Sequence, residues 1–179
     1  MKSSYIVRAR RFIRMLSQFM PVQGCISVRL ARIAVDNFNA RYNRHVRVEW
    51  GSARLAFITS DYVVKMDYDP EAVALFGGCD SECRFYRYAM AEGMEYLFAE
   101  ITPYACGCFE YYIMPRVSCV GAQESDYLDR LSGPEYRWLM RHVHDLHEYN
   151  YGILHGDVVI IDYALNCLFE PEDEEEEGE

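Results

Sequence analysis

The chain has 179 residues, 51% hydrophobic and 15% aromatic, with a formal net charge of −10, a composition that suits one compact domain with its own core. No run of about 18 apolar residues is present, so we expect no transmembrane segment. The charged N-terminus is unlike a signal peptide, and the odd count of seven cysteines fits reduced thiols, so we expect a cytoplasmic protein.

Residues 1–45 are predicted to form a basic helical extension. Apolar and arginine positions recur with helical spacing over 5–16 and 27–38, on either side of a break at 21–24. Residues 1–54 hold eleven Lys and Arg against two acids, whereas the other 125 residues hold seven against twenty-six. The simplest interpretation is that these helices pack on the acidic remainder and neutralise it. The alternative is an arginine face that docks a partner, an anionic membrane or nucleic acid, and the acidic remainder makes direct nucleic-acid binding the least expected of these.

The next residues have the alternation of an antiparallel sheet. Residues 46–57 alternate like a strand pair that turns at Gly51 and Ser52. Lys65 lies in the middle of the apolar run 61–66 and is one of only two lysines among eighteen basic residues. Such a lysine either extends its side chain to solvent or supplies a point charge for a phosphate oxygen.

A helix and two further strands are predicted after a loop over residues 67–79. The helix starts at a cap on Asp80 and has apolar residues at helical spacing. The strands cover 96–101 and 109–114, around the turn 106–108. Cys79 with Cys83 and Cys106 with Cys108 could also form a zinc site. Their C-x3-C and C-x-C spacings are not specific for zinc, however, and buried thiols are the favoured interpretation.

The C-terminal region combines a helix with a row of polar residues. The helix over 133–144 has Pro134 in its first turn, and Tyr136, Leu139, Met140 and Val143 are predicted to share one apolar face. Asp145 and Asn150 follow it, five residues apart. Asp162 comes after the β-branched run 158–161, and His155-Gly156-Asp157 is predicted to be the turn between two short strands.

These polar residues resemble the catalytic loop and metal-binding motif of the protein-kinase-like fold, H-R-D-x-x-x-x-N followed by D-F-G. His144 directly precedes Asp145, Asn150 stands at the family spacing, and Asp162-Tyr163-Ala164 stands where D-F-G would. The sequence of this segment is most similar to that of small kinase-like proteins of tailed bacteriophages. The resemblance covers roughly residues 46–165, and it implies an α+β, minimal two-lobe fold with an antiparallel N-lobe sheet, a truncated C-lobe and N-terminal helices.

The resemblance also implies a site for ATP and Mg²⁺. Asp145 would act on an attacking hydroxyl, and Asn150 and Asp162 would hold the metal through oxygen. Lys65 and the helix carboxylate of Glu82 would position the phosphates. The remaining implied nucleotide contacts are a phosphate loop with one glycine where the family has three, and a hinge that meets adenine: Gly51, Ser52, Met114 and Arg116.

The expected organisation is a helical extension over 1–45, an N-lobe with hinge over 46–117, a truncated C-lobe over 118–169 and an acidic disordered tail over 170–179. Little chain follows Asp162, so we expect no activation segment or peptide-substrate platform of the conventional kind.

Several alternatives remain open from the sequence. A rival register takes His155-Gly156-Asp157 as the catalytic loop but explains fewer residues. The favoured function is transfer of a γ-phosphoryl group to Ser or Thr of a host or viral protein, in the host cytoplasm for a phage-encoded enzyme. The alternatives are a pseudokinase that binds nucleotide or inhibits a host protein, and a small-molecule phosphotransferase whose substrate pocket is closed by the N-terminal helices.

Overall fold

The computed structural model describes residues 3–22, 26–118 and 127–168. In these ranges the protein is α+β, with a five-stranded antiparallel sheet, helices on both of its faces and a separate two-stranded sheet. The elements are α1 (Ser3–Leu16), α2 (Val28–Tyr42), β1 (Arg47–Trp50), β2 (Arg54–Ile58), β3 (Tyr62–Asp67), α3 (Pro70–Phe76), α4 (Cys79–Ala91), β4 (Thr102–Cys106), β5 (Phe109–Pro115), α5 (Gly133–His142), β6 (Tyr151–Leu154) and β7 (Asp157–Ile160). The predicted tail, residues 170–179, lies outside the described residues.

The large sheet has the strand order β1-β2-β3-β5-β4, with every neighbouring pair antiparallel. In this register Lys65 pairs with Ala56 on one side and with Tyr112 on the other. Residues that face each other across a strand pair point to the same side of the sheet. Lys65 therefore shares a face with the alternate residues of β2 that include Arg54.

The opposite face of the sheet is covered by the two predicted N-terminal helices. Ser27 caps the start of α2, where its side chain accepts a hydrogen bond from the Leu30 amide. Both helices bury their apolar stripes in one core with residues of β2, β3 and β5: Ala9, Phe12, Ile13, Leu16, Ala34, Phe38, Leu55, Phe57, Val64 and Ile113. The spacing of apolar residues thus predicted both helices correctly.

The arginines of α1 and α2 lie on the outside of this layer. Arg8 pairs with Asp61 at 3.0 Å between Nη2 and Oδ2, with both side chains about half exposed. The Arg32 guanidinium lies 4.0 Å from the centroid of the Trp50 ring, a cation–π contact. The helices are therefore attached to the sheet through apolar burial, and most of their positive charge faces outward.

A second core lies on the inner side of the sheet, where α4, α5 and the small sheet meet. It is built on aromatic contacts, with Phe85 against Phe98 at 5.4 Å and Phe98 against Tyr163 at 5.0 Å between ring centroids. Within α5, Leu139 is fully buried, but Tyr136 and Met140 are 42% and 50% exposed. The structure therefore buries only part of the apolar face that was predicted for this helix.

The strand predicted at 96–101 is wrong. Residues 95–97 form a short 3-10 helix, and the edge strand β4 starts at Thr102. The apolar run enters the second core instead, where the Ala99 amide donates to the Ile160 carbonyl at 2.8 Å. Pro103 is tolerated within β4 because that strand is at the edge of the sheet.

Two local predictions near α4 also need correction. The segment 67–79 is not all loop, because Asp69 caps the short helix α3 by accepting from the amides of Glu71 and Ala72. Helix α4 begins at Cys79 rather than after a cap on Asp80. The Asp67 side chain accepts from the Cys79 amide at 3.0 Å, so the first turn is satisfied by a residue from the end of β3.

None of the helices in the described ranges combines the length and apolar character that crossing a bilayer requires. The described ranges also hold no group of three or more His, Cys, Asp or Glu side chains arranged to bind a metal ion.

Candidate functional site

A cleft of about 1050 Å³ lies between the inner face of the large sheet and the segment that follows α5. It is lined by residues of β1, β2 and the turn between them, by β3, by the end of β5 and the segment after it, and by residues within 145–165. Ser60 and Phe76 also contribute. Eight of the nine predicted site residues line it, namely Gly51, Ser52, Lys65, Met114, Arg116, Asp145, Asn150 and Asp162. No described residue of α1 or α2 does so.

The ninth predicted residue, Glu82, lies beneath the floor of the cleft and is fully buried. Its carboxylate binds Lys65, with Nζ 2.9 Å from Oε1 and 3.0 Å from Oε2. Lys65 also donates to the Ile161 carbonyl at 2.9 Å. Helix α4 supplies the carboxylate and β3 the ammonium, so this ion pair joins the helix to the sheet and fixes the Lys65 side chain at the cleft wall.

Arg54 also belongs to this site, although its side chain was not predicted to do so. Its Nη1 lies 3.0 Å from Glu82 Oε1, and its Nη2 lies 2.9 Å and 3.0 Å from the two carboxylate oxygens of Asp162. The sequence could have indicated which face of the sheet it lies on, but not its partners. Arg54 directly follows the Gly51–Ala53 turn and has the strand parity that places it on the same face as Lys65.

The four charged side chains form one compact group of two cations and two carboxylates. Burial raises the pKa of Glu82, although Lys65 and Arg54 act against this shift. Burial also acts to raise the pKa of Asp162, but the positive charges of Lys65 and Arg54 outweigh it and lower that pKa. The ionised form of Asp162 is thus favoured.

Asp162 is held in place by its neighbours in the chain. The Ile161 amide donates to the Asn150 carbonyl at 2.8 Å, and the Tyr163 amide donates to Glu82 Oε1 at 3.3 Å. Further along, the fully buried Asn166 donates through Nδ2 to the carbonyls of Tyr163 and Ala164 at 2.8 Å and 3.0 Å. These bonds fix the backbone on both sides of the carboxylate.

Asp145 and Asn150 are brought together by a side-chain bond within their loop. Asn150 is 4% exposed and donates from Nδ2 to the Asp145 carbonyl at 2.8 Å. The Asp145 side chain is 44% exposed, and its Oδ1 lies 3.6 Å from His147 Nε2. Asp145 is thus a partly solvated carboxylate at the cleft, whereas Asn150 is a buried group that shapes the loop.

The rival catalytic residue, Asp157, does not line the cleft. It begins β7 directly after a two-residue hairpin loop, with Leu154 paired opposite. The loop residues His155 and Gly156 have φ values of 57° and 98°, as a type I′ turn requires. The segment His155-Gly156-Asp157 therefore forms the predicted turn between two short strands.

The segment predicted as a hinge is partly bonded within the protein. Met114 is buried in β5, whereas Arg116 is exposed. The Arg116 amide donates to the Asp61 carbonyl at 3.1 Å, and its Nη1 donates to the Thr59 carbonyl at 2.8 Å. Arg116 thus ties the end of β5 to the β2–β3 turn while lining the cleft.

The donor types at Asn150 and Asp162 fit magnesium, which prefers amide and carboxylate oxygens. Both Asp162 oxygens, however, accept hydrogen bonds from Arg54 in this structure. A metal ion at Asp162 would therefore compete with the guanidinium, because two cations at one carboxylate repel each other.

No protein-family model matches this sequence, and no curated protein matches it at a significant level. Inferences about function therefore rest on the geometry of the cleft and on the resemblance of its motifs.

Proposed function

We propose that this protein is a phosphotransferase of the protein-kinase-like fold, which moves the γ-phosphoryl group of ATP to a serine or threonine hydroxyl of a protein. The observation that carries the proposal is the Lys65–Glu82 ion pair beside Asp162, in the same cleft as Asp145 and Asn150. Phosphoryl transfer depends mainly on positioning and on neutralising phosphate charge. A cleft with fixed cations on one wall and an exposed carboxylate on another meets both requirements.

In this proposal Lys65 binds phosphate oxygens while Glu82 keeps its ammonium in place. Asp145 accepts a hydrogen bond from the attacking hydroxyl and orients it, a role that its solvent access allows. Asn150 and Asp162 would hold Mg²⁺, which when bound supplies charge neutralisation at the phosphates. The proposed target is a host or viral protein in the host cytoplasm, as the resemblance to phage proteins implies.

A second candidate is a pseudokinase that binds nucleotide and inhibits a partner protein. The contact of Arg54 with both oxygens of Asp162 favours it, because the carboxylate needed for a metal is already paired. The exposed arginines of α1, such as Arg11, offer a surface for such a partner.

The test is transfer of label from γ-labelled ATP with magnesium, into the protein itself and into a bacterial lysate. Asp145→Asn is expected to lower transfer by about 100-fold or more, the usual contribution of a positioned acid–base group. Asp157→Asn is the matched control, since Asp157 lies in an exposed hairpin outside the cleft. Loss of transfer in the Asp157 variant alone would overturn the assignment of Asp145.

The phosphotransferase and the pseudokinase can be distinguished by which variant of the protein loses its effect on host cells. If Asp145→Asn leaves the effect intact while Arg8→Glu combined with Arg11→Glu abolishes it, the inhibitor of a partner protein is the better description. The opposite pattern supports the phosphotransferase.

A further inference from the structure

The position beside Asp162 is already held by a cation that belongs to the chain. The Arg54 guanidinium contacts both Asp162 oxygens and Oε1 of Glu82, all within 3.0 Å. It bridges two carboxylates that come from different elements, the helix α4 and the segment after β7. A planar guanidinium suits this geometry because its fork can address two oxygens at once.

Arg54 and Lys65 together balance the two carboxylates, so the group as a whole carries no net charge. A polyphosphate brings several negative charges into this group. Both cations are largely buried, with side-chain exposures of 18% and 14%, and fixed charges in such a site act more strongly than in water. Both carboxylates are already paired with these cations, so neither a phosphate nor a divalent ion meets an uncompensated charge. A phosphate can, however, accept hydrogen bonds from the remaining N–H donors of Arg54, which a divalent ion cannot use.

The guanidinium also retains donors for a further ligand. It has five N–H groups, and its contacts to Glu82 and Asp162 involve only the two terminal nitrogens. Arg54 lines the cleft and directly follows the Gly51–Ala53 turn, the segment expected to cover the phosphates. A phosphate between Arg54 and Lys65 would use the remaining N–H donors of Arg54. The three N–H groups of Lys65 already donate to Glu82 Oε1, Glu82 Oε2 and the Ile161 carbonyl, so the phosphate would replace one of these bonds while the Lys65–Glu82 pair is kept.

We propose that Arg54 is the resident cation of this site, in the place a metal ion would take at Asp162, so that ATP phosphates bind to Arg54 and Lys65 without a divalent cation. This inference rests on the proposed nucleotide site and deepens it. Nucleotide binding and metal binding become separable steps. Metal enters only when the guanidinium leaves Asp162.

The test is calorimetric binding of ATP to the full chain, once with EDTA and once with excess Mg²⁺. For the unchanged protein the two dissociation constants are expected to agree within about threefold. In Arg54→Gln, binding in EDTA is expected to weaken by about tenfold or more, as loss of a charge-assisted contact predicts. Binding with Mg²⁺ should then exceed binding in EDTA, because Asp162 is free to hold the ion.

Arg47→Gln is the matched control, since Arg47 lines the same cleft from β1 and pairs with the exposed Glu49 rather than with Glu82 or Asp162. It should bind ATP like the unchanged protein in both buffers. Circular dichroism checks that each variant folds, and the comparison of buffers for the unchanged protein needs no variant at all.

The outcomes separate this inference from the proposed function. Binding in the unchanged protein that requires Mg²⁺, or an Arg54→Gln variant that binds in EDTA as well as the unchanged protein, overturns the role of Arg54 and leaves the nucleotide site standing. Absence of ATP binding in both buffers overturns both.

Discussion

Gly77 lies against the backbone of Ala164, two residues beyond Asp162. A Cβ atom at position 77 would stand 2.8 Å from the Ala164 carbonyl oxygen, closer than real Cβ contacts come. The junction between α3 and α4 therefore supports the segment that carries Asp162 through backbone contact. Gly77 also has a φ of 70°, a conformation that favours glycine.

Gly77→Ala is expected to destabilise the protein more than Gly93→Ala. Gly93 has nearly the same φ, 71°, but nothing lies within 4 Å of its Cβ position. Gly93→Ala should cost about 1 kcal/mol for the backbone conformation alone, and Gly77→Ala about 1 to 3 kcal/mol more because Ala164 must shift. Urea denaturation of both variants measures the difference, and equal losses would show that the contact with Ala164 has no energetic weight.

Glu82→Gln should destabilise the protein by about 3 kcal/mol, since it leaves Lys65 and Arg54 facing a neutral amide in a buried place. The free energy of unfolding from urea titration is the measurement. Asp80→Asn, an exposed change in the first turn of the same helix, should stay within about 0.5 kcal/mol. A similar small loss for Glu82→Gln would mean that the buried ion pair contributes little to folding.

Because of Asp162, the free energy of unfolding should decrease at low pH. Its folded pKa is below the ordinary value of 3.8 because Lys65 and Arg54 outweigh the effect of burial. Its contribution is therefore complete above the unfolded pKa and is lost as pH falls through the lowered folded pKa. We expect the stability difference between the unchanged protein and Asp162→Asn to be largest above about pH 5 and to shrink below it. Urea denaturation at a series of pH values measures this, and a difference that grows on acidification contradicts the ion pairing.

Asn166→Ala should weaken the backbone support of Asp162. The buried amide of Asn166 donates to Ser81 Oγ at 3.1 Å as well as to two carbonyls, and its oxygen accepts from the Leu168 amide at 2.9 Å. Loss of these bonds should cost about 2 kcal/mol by thermal or urea unfolding. Asn37→Ala, on the exposed side of α2, is the control and should change little. Equal stability of the two variants would contradict a supporting role for Asn166.

Much of the fold follows from local pattern. The helical spacing predicted α1, α2 and α5, and alternation with turn residues predicted β1, β2 and β3. The β6–β7 hairpin was implied by the resemblance. The error at 96–101 arose because a continuous apolar run fits a strand and a buried irregular segment equally well. Only the position of the second core decides between the two.

Most of the candidate site was expected from the resemblance of its polar residues to the kinase-like motifs, but its central ion network was not. Arg54 is 28 residues from Glu82 and 108 residues from Asp162 along the chain. No local pattern encodes a contact over such separations. The sequence identified Lys65 by its rarity among the basic residues, whereas Arg54 is one of sixteen arginines and does not stand out.

The apolar layer between the large sheet and the helices α1 and α2 shows which residues the sheet needs in order to fold. Phe57, Val64 and Ile113 are completely buried in the core that these helices share with the sheet. A chain started at residue 46 would expose that whole face to water, at a cost on the order of 2 kcal/mol for each large side chain. The basic helices are therefore one layer of the sheet's own core, and the structural unit that carries Lys65 includes α1 and α2.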